Sequence, residues 1–204
     1  MKKKCPTCSS PSIQKNLFET PQDKPAGKFI STFRVTLVKD RSVSFEQCCL
    51  SNSAQARPIV RKLIEEHGQS DREQFCVILL NAKNQIIGLS IISSGCLIST
   101  TVHPREVLKP AIIANSAAMI LCHNHPSNDP APSQEGIAVT KTIVQAAKIM
   151  GILVHEHLII NLEDSQYYSF ADNGHIKRTY DEIGGIHGNM ERKAIFPLED
   201  LQAD

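Results

Sequence analysis

Three short, mostly apolar runs limit what this chain can fold into. They are FCVILL (75–80), AAMILC (117–122) and ILVHEHLII (152–160). Runs of this length are typical of strands that are buried inside a domain, rather than of helices. Predicted strands and helices alternate from about residue 30 to residue 172. The sequence therefore predicts an α/β domain with three layers, α-β-α, around a mixed β-sheet.

The predicted helices follow from apolar residues that recur at helical spacing. SAQARPIVRKLIEEHG (53–68) carries such a stripe, with Ser53 as a possible cap and Gly68 as the end. Two further helices are predicted over 103–116 and 133–150. The other predicted strands are FRVTLV (33–38) and VSFEQCCL (43–50), paired as a hairpin, IIGLSIIS (86–93) and YYSF (167–170).

Composition suggests how the chain is organised around this domain. Residues 1–28 are rich in Lys, Pro, Ser and Gln, which predicts a flexible N-terminal arm. We expect the hairpin and helix of residues 29–70 to pack on a domain that spans 71–172. Residues 173–204 are polar and contain several glycines, which predicts a C-terminal tail.

Charge and hydropathy do not support a nucleic-acid or membrane partner, and a cytoplasmic location is the expectation. The chain has 22 Lys and Arg against 21 Asp and Glu, and no apolar run approaches the length of a spanning helix. Several of the seven cysteines lie in apolar runs, so we expect reduced thiols. Cys5 and Cys8 form a CxxC pair, but no second pair with zinc-knuckle spacing follows.

His123 and His125 follow the apolar run AAMILC and are the strongest candidates for metal ligands. Side chains two residues apart on an extended strand point the same way, so both imidazoles can converge on one cation. The alternative is a pair of polar residues in a surface loop. A catalytic zinc takes three protein ligands and one water, so two histidines alone are one ligand short.

The segment HNHPSNDPAPSQEG (123–136) resembles the zinc motif of the JAMM (MPN-plus) metallopeptidases. The similarity to the RadC-like branch extends in order over REQFCVILLNAKNQIIG, TTVHPREVLKPAIIANSAAMILCHNHPS and MGILVHEHLIIN, from about residue 72 to 170. The resemblance implies the JAMM/MPN fold, which is cytidine deaminase-like, and zinc-dependent hydrolysis of a peptide or isopeptide bond in a protein substrate.

The resemblance also implies roles for single residues. His123 and His125 match the histidine ligands, and Ser133 matches the serine that stabilises the oxyanion. Glu73, just before FCVILL, matches the general base, and Glu106 competes for that role. A carboxylate beside a metal site can take the proton of an attacking water.

Gly136 stands where the family pattern has the aspartate that is the third ligand. Three alternatives remain open. Glu135 substitutes for it, or the strand residues His155, Glu156 or His157 supply the ligand, or the site binds zinc weakly or not at all. The function is accordingly either a zinc metallopeptidase or a catalytically inactive interaction module, associated with DNA repair or mobile elements as the family name suggests.

Overall fold

The computed structural model describes residues 32, 34–45, 49–95 and 102–184. Over these residues the chain forms four helices and five strands. The helices are α1 (Ser53–His67), α2 (Pro104–Ile113), α3 (Gln134–Ile149) and α4 (His175–Glu182). The strands are β1 (Gln74–Leu80), β2 (Ile86–Ser94), β3 (Ala118–Asn124), β4 (Leu153–Ile160) and β5 (Tyr167–Ser169).

The strands form one mixed sheet in the order β2-β1-β3-β4-β5. Only the β3–β4 pair is parallel among these neighbours, and helix α3 connects the two strands. Every residue of the central strands β1 and β3 is buried, as their unbroken apolar sequences predict. Strands β1 and β3 are antiparallel neighbours, so the start of β1 lies beside the end of β3. There Phe75 pairs with His123.

Helices cover both faces of the sheet, which confirms the predicted α/β architecture. On one face, Val107 of α2, Ile143 and Val144 of α3 and Ile176 of α4 share a buried cluster with strand residues. On the other face, α1 contributes Ile59, Val60, Leu63 and Ile64 to a second cluster. No helix in the described ranges is long and apolar enough to cross a membrane.

Helix α1 starts differently from the prediction. Its N-cap is Asn52, whose side chain accepts the backbone N–H of Gln55, whereas Ser53 is the first residue of the helix. The Ser53 hydroxyl donates instead to the buried carboxylate of Glu156 on β4. Ser53 therefore does not cap the helix, because its hydroxyl donates to the Glu156 carboxylate instead.

The predicted hairpin before α1 is wrong over the residues that can be checked. Residues 34–45 form no strand, and Cys49 forms a single bridge with Gln85. Val35, Leu37 and Val38 are exposed, so the alternation of FRVTLV does not reflect a half-buried face. The predicted arm over 1–28, with Cys5 and Cys8, lies outside the described residues.

Part of the predicted tail is a helix of the domain. In α4, Ile176 and Thr179 are buried, and the Tyr180 hydroxyl accepts the backbone N–H of Val154 at 2.8 Å. Ile176, Thr179, Tyr180 and Ile183 recur at helical spacing, a signal hidden by the surrounding polar residues. The remainder of the tail, residues 185–204, lies outside the described residues.

Candidate metal centre

His123 and His125 lie at the end of strand β3 and direct their rings toward each other. His123 is inside the strand and only 2 % exposed, whereas His125 is the first residue beyond it. Their Nε2 atoms are 3.1 Å apart. Two ligands of a tetrahedral zinc, each at about 2.0–2.1 Å, would be about 3.4 Å apart. The two nitrogens therefore have nearly the separation that one shared cation requires.

The Glu73 carboxylate faces this pair from the residue that precedes strand β1. Its Oε1 lies 3.9 Å from Nε2 of His123 and 3.8 Å from Nε2 of His125. The three potential ligand atoms all lie within 4.8 Å of one another. The carboxylate is about half an ångström farther than a tetrahedral ligand would be. That distance suits a group beside a metal at least as well as one bound to it.

Asn124 holds Glu73 in this place. Its side-chain oxygen accepts the backbone N–H of Gln74 at 3.0 Å, and its side-chain nitrogen donates to the carbonyl of Arg72 at 3.0 Å. Asn124 is fully buried and lies between the two histidines in sequence. Residues 123–125 thus supply both the two imidazoles and the asparagine that holds the backbone around Glu73. This role of Asn124 was not predicted from the sequence.

The loop after His125 fixes the orientation of its ring. Nδ1 of His125 lies 2.6 Å from the carbonyl oxygen of Asp129. Asn128 adopts a left-handed backbone conformation with φ of 57°, and its N–H donates to the carbonyl of His125. Because a carbonyl only accepts, Nδ1 of His125 carries the proton and Nε2 keeps its lone pair for a cation.

His123 is supported by His157 of strand β4 and by Thr140 of helix α3. Nδ1 of His123 lies 2.8 Å from Nε2 of His157, and Nδ1 of His157 lies 2.6 Å from the Thr140 hydroxyl. Burial lowers the pKa of His123 well below its usual value and that of His157 to about 3. Both rings are therefore neutral at physiological pH, the form in which imidazole binds metals.

A register shift between β3 and β4 directs the side chains of Glu156 and His157 to different neighbours. The register shifts after Met119, which pairs with Val154, so that the next residue, Ile120, pairs with Glu156. His157 then reaches α3, whereas Glu156 bonds to Ser53. Neither is placed as a third ligand, because His157 uses Nε2 for His123 and Glu156 accepts four protein hydrogen bonds.

Thr140 was missed by the sequence analysis, although a signal was present. It lies on the buried stripe of α3 with Ile143, Val144 and Ala147, at spacings of three, four and seven residues. A threonine in an otherwise apolar stripe needs a hydrogen-bond partner once it is buried. Its partners are His157 and the carbonyl of Gly136 at 2.7 Å.

The start of α3 contains the remaining candidates. Ser133 is the N-cap, and its hydroxyl oxygen accepts the N–H of Gly136 at 3.0 Å. A Cβ added to Gly136 would meet only this hydroxyl oxygen, at 3.2 Å, within 4 Å. Glu135 is exposed and is not part of any group of three converging ligands within the described residues.

The structure also separates the two glutamates considered as bases. Glu106 is exposed in the first turn of α2 and forms ion pairs with Lys109 and Arg105. Hydrogen bonding to Lys109 lowers the pKa of Glu106. The Glu73 side chain is only 11 % exposed and faces the histidines, so it is the one of the two that the fold brings to them.

The protein is an α/β domain in which the central strand β3 leads into two converging histidines opposite a glutamate. These features define it as a candidate metal-binding domain. The sequence model of the RadC-like JAB domain family matches residues 50–175, which include every candidate site residue named above. The chain belongs to this family, and the resemblance to RadC-like JAMM proteins is thereby confirmed.

Curated relatives agree with this assignment. A UPF0758 protein of Caldanaerobacter subterraneus is 45% identical over 118 residues, covering 55% of this chain and 51% of that protein. A UPF0758 protein of Moorella thermoacetica is 50% identical over 116 residues, covering 57% and 50%. One of Methanococcoides burtonii is 45% identical over 121 residues, covering 59% and 52%. The chain thus spans about half the length of these relatives, whose names state no activity.

Proposed function

We propose that the domain is a zinc-dependent peptidase of the JAMM type that hydrolyses a peptide or isopeptide bond. The observation that carries the proposal is the convergence of Glu73, His123 and His125 on one point, with 3.1 Å between the two Nε2 atoms. Imidazole nitrogens are ligands that zinc accepts, and a carboxylate beside them can accept a proton. When bound, zinc supplies a Lewis acid that polarises a carbonyl and makes water easier to deprotonate.

The protein groups then have separate tasks. His123 and His125 would hold the metal through Nε2, with their rings oriented by His157 and by the carbonyl of Asp129. Glu73 takes the proton of the attacking water and returns it to the leaving nitrogen. The Ser133 hydroxyl oxygen already accepts from Gly136, so its hydrogen is available to donate to the developing oxyanion.

Gly136 favours a second candidate function. Glycine offers no ligand, and a site with two histidines is one protein ligand short of a usual catalytic zinc site. A domain that has lost its third ligand can keep its fold and act as an interaction module, in DNA repair or mobile-element biology or elsewhere. Both candidates use the same fold, so metal content and hydrolysis separate them.

Metal analysis of protein purified without added zinc is the first test. Near-stoichiometric zinc in the parent that disappears in His123→Ala supports a metalloenzyme. Absence of zinc in the parent, with tight binding restored by Gly136→Asp, supports the inactive module. The aspartate Cβ would approach the Ser133 hydroxyl oxygen to 3.2 Å, which a small rotation of the serine relieves.

Hydrolysis is the second test and uses a peptide library with the parent and Gly136→Asp. Cleavage by the parent supports the peptidase. Cleavage by Gly136→Asp but not by the parent supports the inactive module, because only the variant has an aspartate as a third protein ligand. Glu73→Gln in the Gly136→Asp background is the matched control and should abolish cleavage. Equal cleavage by parent and variant would show that another residue already completes the site.

A further inference from the structure

We propose that the outer edge of strand β2, together with the groove beside it, binds an extended segment of the substrate as an added strand. The proposal rests on the peptidase function proposed above and names the kind of substrate, a polypeptide with an extended, apolar segment several residues from the cleaved bond. Strand β2 is at one end of the sheet order, and within the described residues no segment pairs with its outer side. An added strand would therefore find unpaired backbone groups there.

The sequence of β2 leaves this edge without the usual protection. Its nine residues, Ile86–Ser94, contain neither a charged side chain nor a proline, two features by which edge strands commonly avoid pairing with other chains. The register with β1 shifts near both ends of the strand, but Gly88 to Ile91 pair regularly with Leu79 to Cys76. The middle of β2 is therefore a regular strand whose outer side is open to a partner.

A groove of about 780 Å³ lies beside this edge. Residues 86–91 of β2 form one wall, and the opposite wall is formed mainly by residues 37–45, here called the wall segment. The volume lies in the range of about 300–1,000 Å³ that is typical of ligand sites. Six residues of β2 extend over roughly 20 Å, so the groove suits an added strand of about six residues.

The wall segment is held by helix α1 and not by β2. The Lys62 ammonium donates to the Ser44 hydroxyl at 2.6 Å, and Nε2–H of His67 donates to the carbonyl of Ser42 at 3.3 Å. No backbone hydrogen bond joins residues 34–45 to β2. The groove between them therefore stays open.

The side chains around the groove suit an apolar strand. Four apolar residues line it and are 39 % to 84 % exposed, namely Leu37, Val38, Phe45 and Ile87. Exposed apolar residues that lie together commonly mark a binding site. Among the charged lining residues, Arg41 is paired with Asp40, which leaves Lys39 to attract an acidic group. We therefore expect a segment with apolar side chains at alternate positions and an acidic residue near one end.

The groove continues along β2 to the candidate metal site. Ser94 pairs with Gln74, and the N–H of Gly95 donates to the carbonyl of Glu73 at 2.9 Å. From Ile91 to Gly95 is roughly 13 Å along β2, and Glu73 lies about 10 Å across two strand spacings from an added strand. About five to seven residues of extended chain would separate the docked segment from the cleaved bond. This continuity assigns the groove to the substrate rather than to a separate partner.

Peptides selected from a random dodecapeptide display library test the docking step on the full chain. We expect selected peptides to protect residues 86–94 from hydrogen exchange, and Ile87→Lys to weaken their binding about 5- to 30-fold. Ile112→Lys is the matched control, because Ile112 is 44 % exposed against 43 % for Ile87 but lies on α2 outside the groove lining. A library without binders, or equal binding to both variants, would overturn the proposal.

Methylated peptides test whether docking occurs by strand pairing, and they leave the protein unaltered. In a strand that is added to an edge, only alternate N–H groups point toward that edge. N-methylation of one alternate set should therefore abolish binding, whereas methylation of the other set should change it less than about threefold. Equal losses with both sets would contradict strand pairing.

Cleavage links the groove to the metal site. A peptide that the parent or Gly136→Asp cleaves is joined to a selected docking peptide through a linker of two or of about seven residues. We expect only the longer linker to lower KM, about 5- to 30-fold with kcat unchanged, and Ile87→Lys but not Ile112→Lys to remove this gain.

The failure of the proposed function is distinguishable from the failure of this inference. No cleavage of any peptide would refute the peptidase and with it the substrate role, whereas the binding tests would still decide whether β2 takes an added strand. Cleavage with the same KM for both linkers would refute the inference and leave the peptidase standing.

Discussion

Asn124 bonds to the backbone on both sides of Glu73, accepting from Gln74 and donating to Arg72. The residue between the two histidines therefore controls where the carboxylate opposite them is placed. Strand β1 and strand β3 are neighbours in the sheet, so this clamp spans the two strands that bring the site together. Asn124 therefore connects the candidate metal site to the two strands that carry it.

Replacing Asn124 by alanine should disturb both stability and the site. We expect the free energy of unfolding to fall by about 1–3 kcal/mol, because two backbone groups lose a buried partner. We also expect slower hydrolysis in the Gly136→Asp background, because Glu73 is no longer held. Denaturant unfolding and peptide cleavage measure the two effects.

The control for Asn124→Ala is Asn81→Ala. Asn81 follows the other end of β1, and its side-chain oxygen accepts the backbone N–H groups of Lys83 and Gln85. This variant should lose stability without a change in the rate of hydrolysis in the Gly136→Asp background. If both variants slowed hydrolysis equally, Asn124 would have no specific role toward Glu73.

Glu73→Gln should separate a general base from a metal ligand. If Glu73 acts as the base, zinc affinity in the Gly136→Asp background should change little, while hydrolysis falls about 10²- to 10⁴-fold. Isothermal calorimetry and peptide cleavage measure these quantities. A loss of zinc affinity as large as that of His123→Ala would instead identify Glu73 as a ligand.

The metal-free protein should lose stability as the pH falls below about 6.5. Burial lowers the pKa of His157 to about 3 and that of His155 to about 4, and it lowers the pKa of His123 as well. The unfolded chain therefore takes up protons that the folded chain does not. Each such histidine should reduce the free energy of unfolding by about 1.4 kcal/mol per pH unit, until the pH nears its folded pKa.

His155→Leu tests this pH dependence, since it removes one of the three histidines and leaves the contacts between His123, His125 and His157 in place. The slope of unfolding free energy against pH, measured by denaturant titration between pH 6 and 4.5, should fall by about one histidine's share. An unchanged slope would show that His155 does not contribute in the way its burial implies.

Ser53→Ala should destabilise the contact of α1 with the sheet. The carboxylate of Glu156 is fully buried and accepts from Ser53, Ser169 and the backbone N–H groups of His157 and Ala171. Burial raises the pKa of Glu156, and these hydrogen bonds oppose that rise. Loss of one donor to a buried carboxylate should cost about 1–3 kcal/mol in thermal or denaturant unfolding. The exposed Ser51→Ala is the control and should cost much less.

The local sequence was sufficient to predict the central strands and helices of the domain. It was not sufficient to predict the structure of the segments before α1 and after β5. Unbroken apolar runs gave the central strands, since only a strand covered on both faces needs such a sequence. The alternating residues before α1 predicted a strand wrongly, because two exposed valines and one exposed leucine there follow the same pattern as a half-buried strand. Helix α4 was hidden because its buried residues are few and its remaining residues are polar.

The sequence by itself determined the five strands of the sheet, helices α1 to α3 and the histidine pair, because each depends on spacing within one segment. Only the tertiary structure decided which distant groups face that pair. The sheet order brings Glu73 from the start of β1, and the register shift in β4 turns His157 toward α3 and Glu156 toward α1. Thr140 acquires its role only when α3 packs over β4. Pairing between strands and helix packing, which no local pattern specifies, assemble the site.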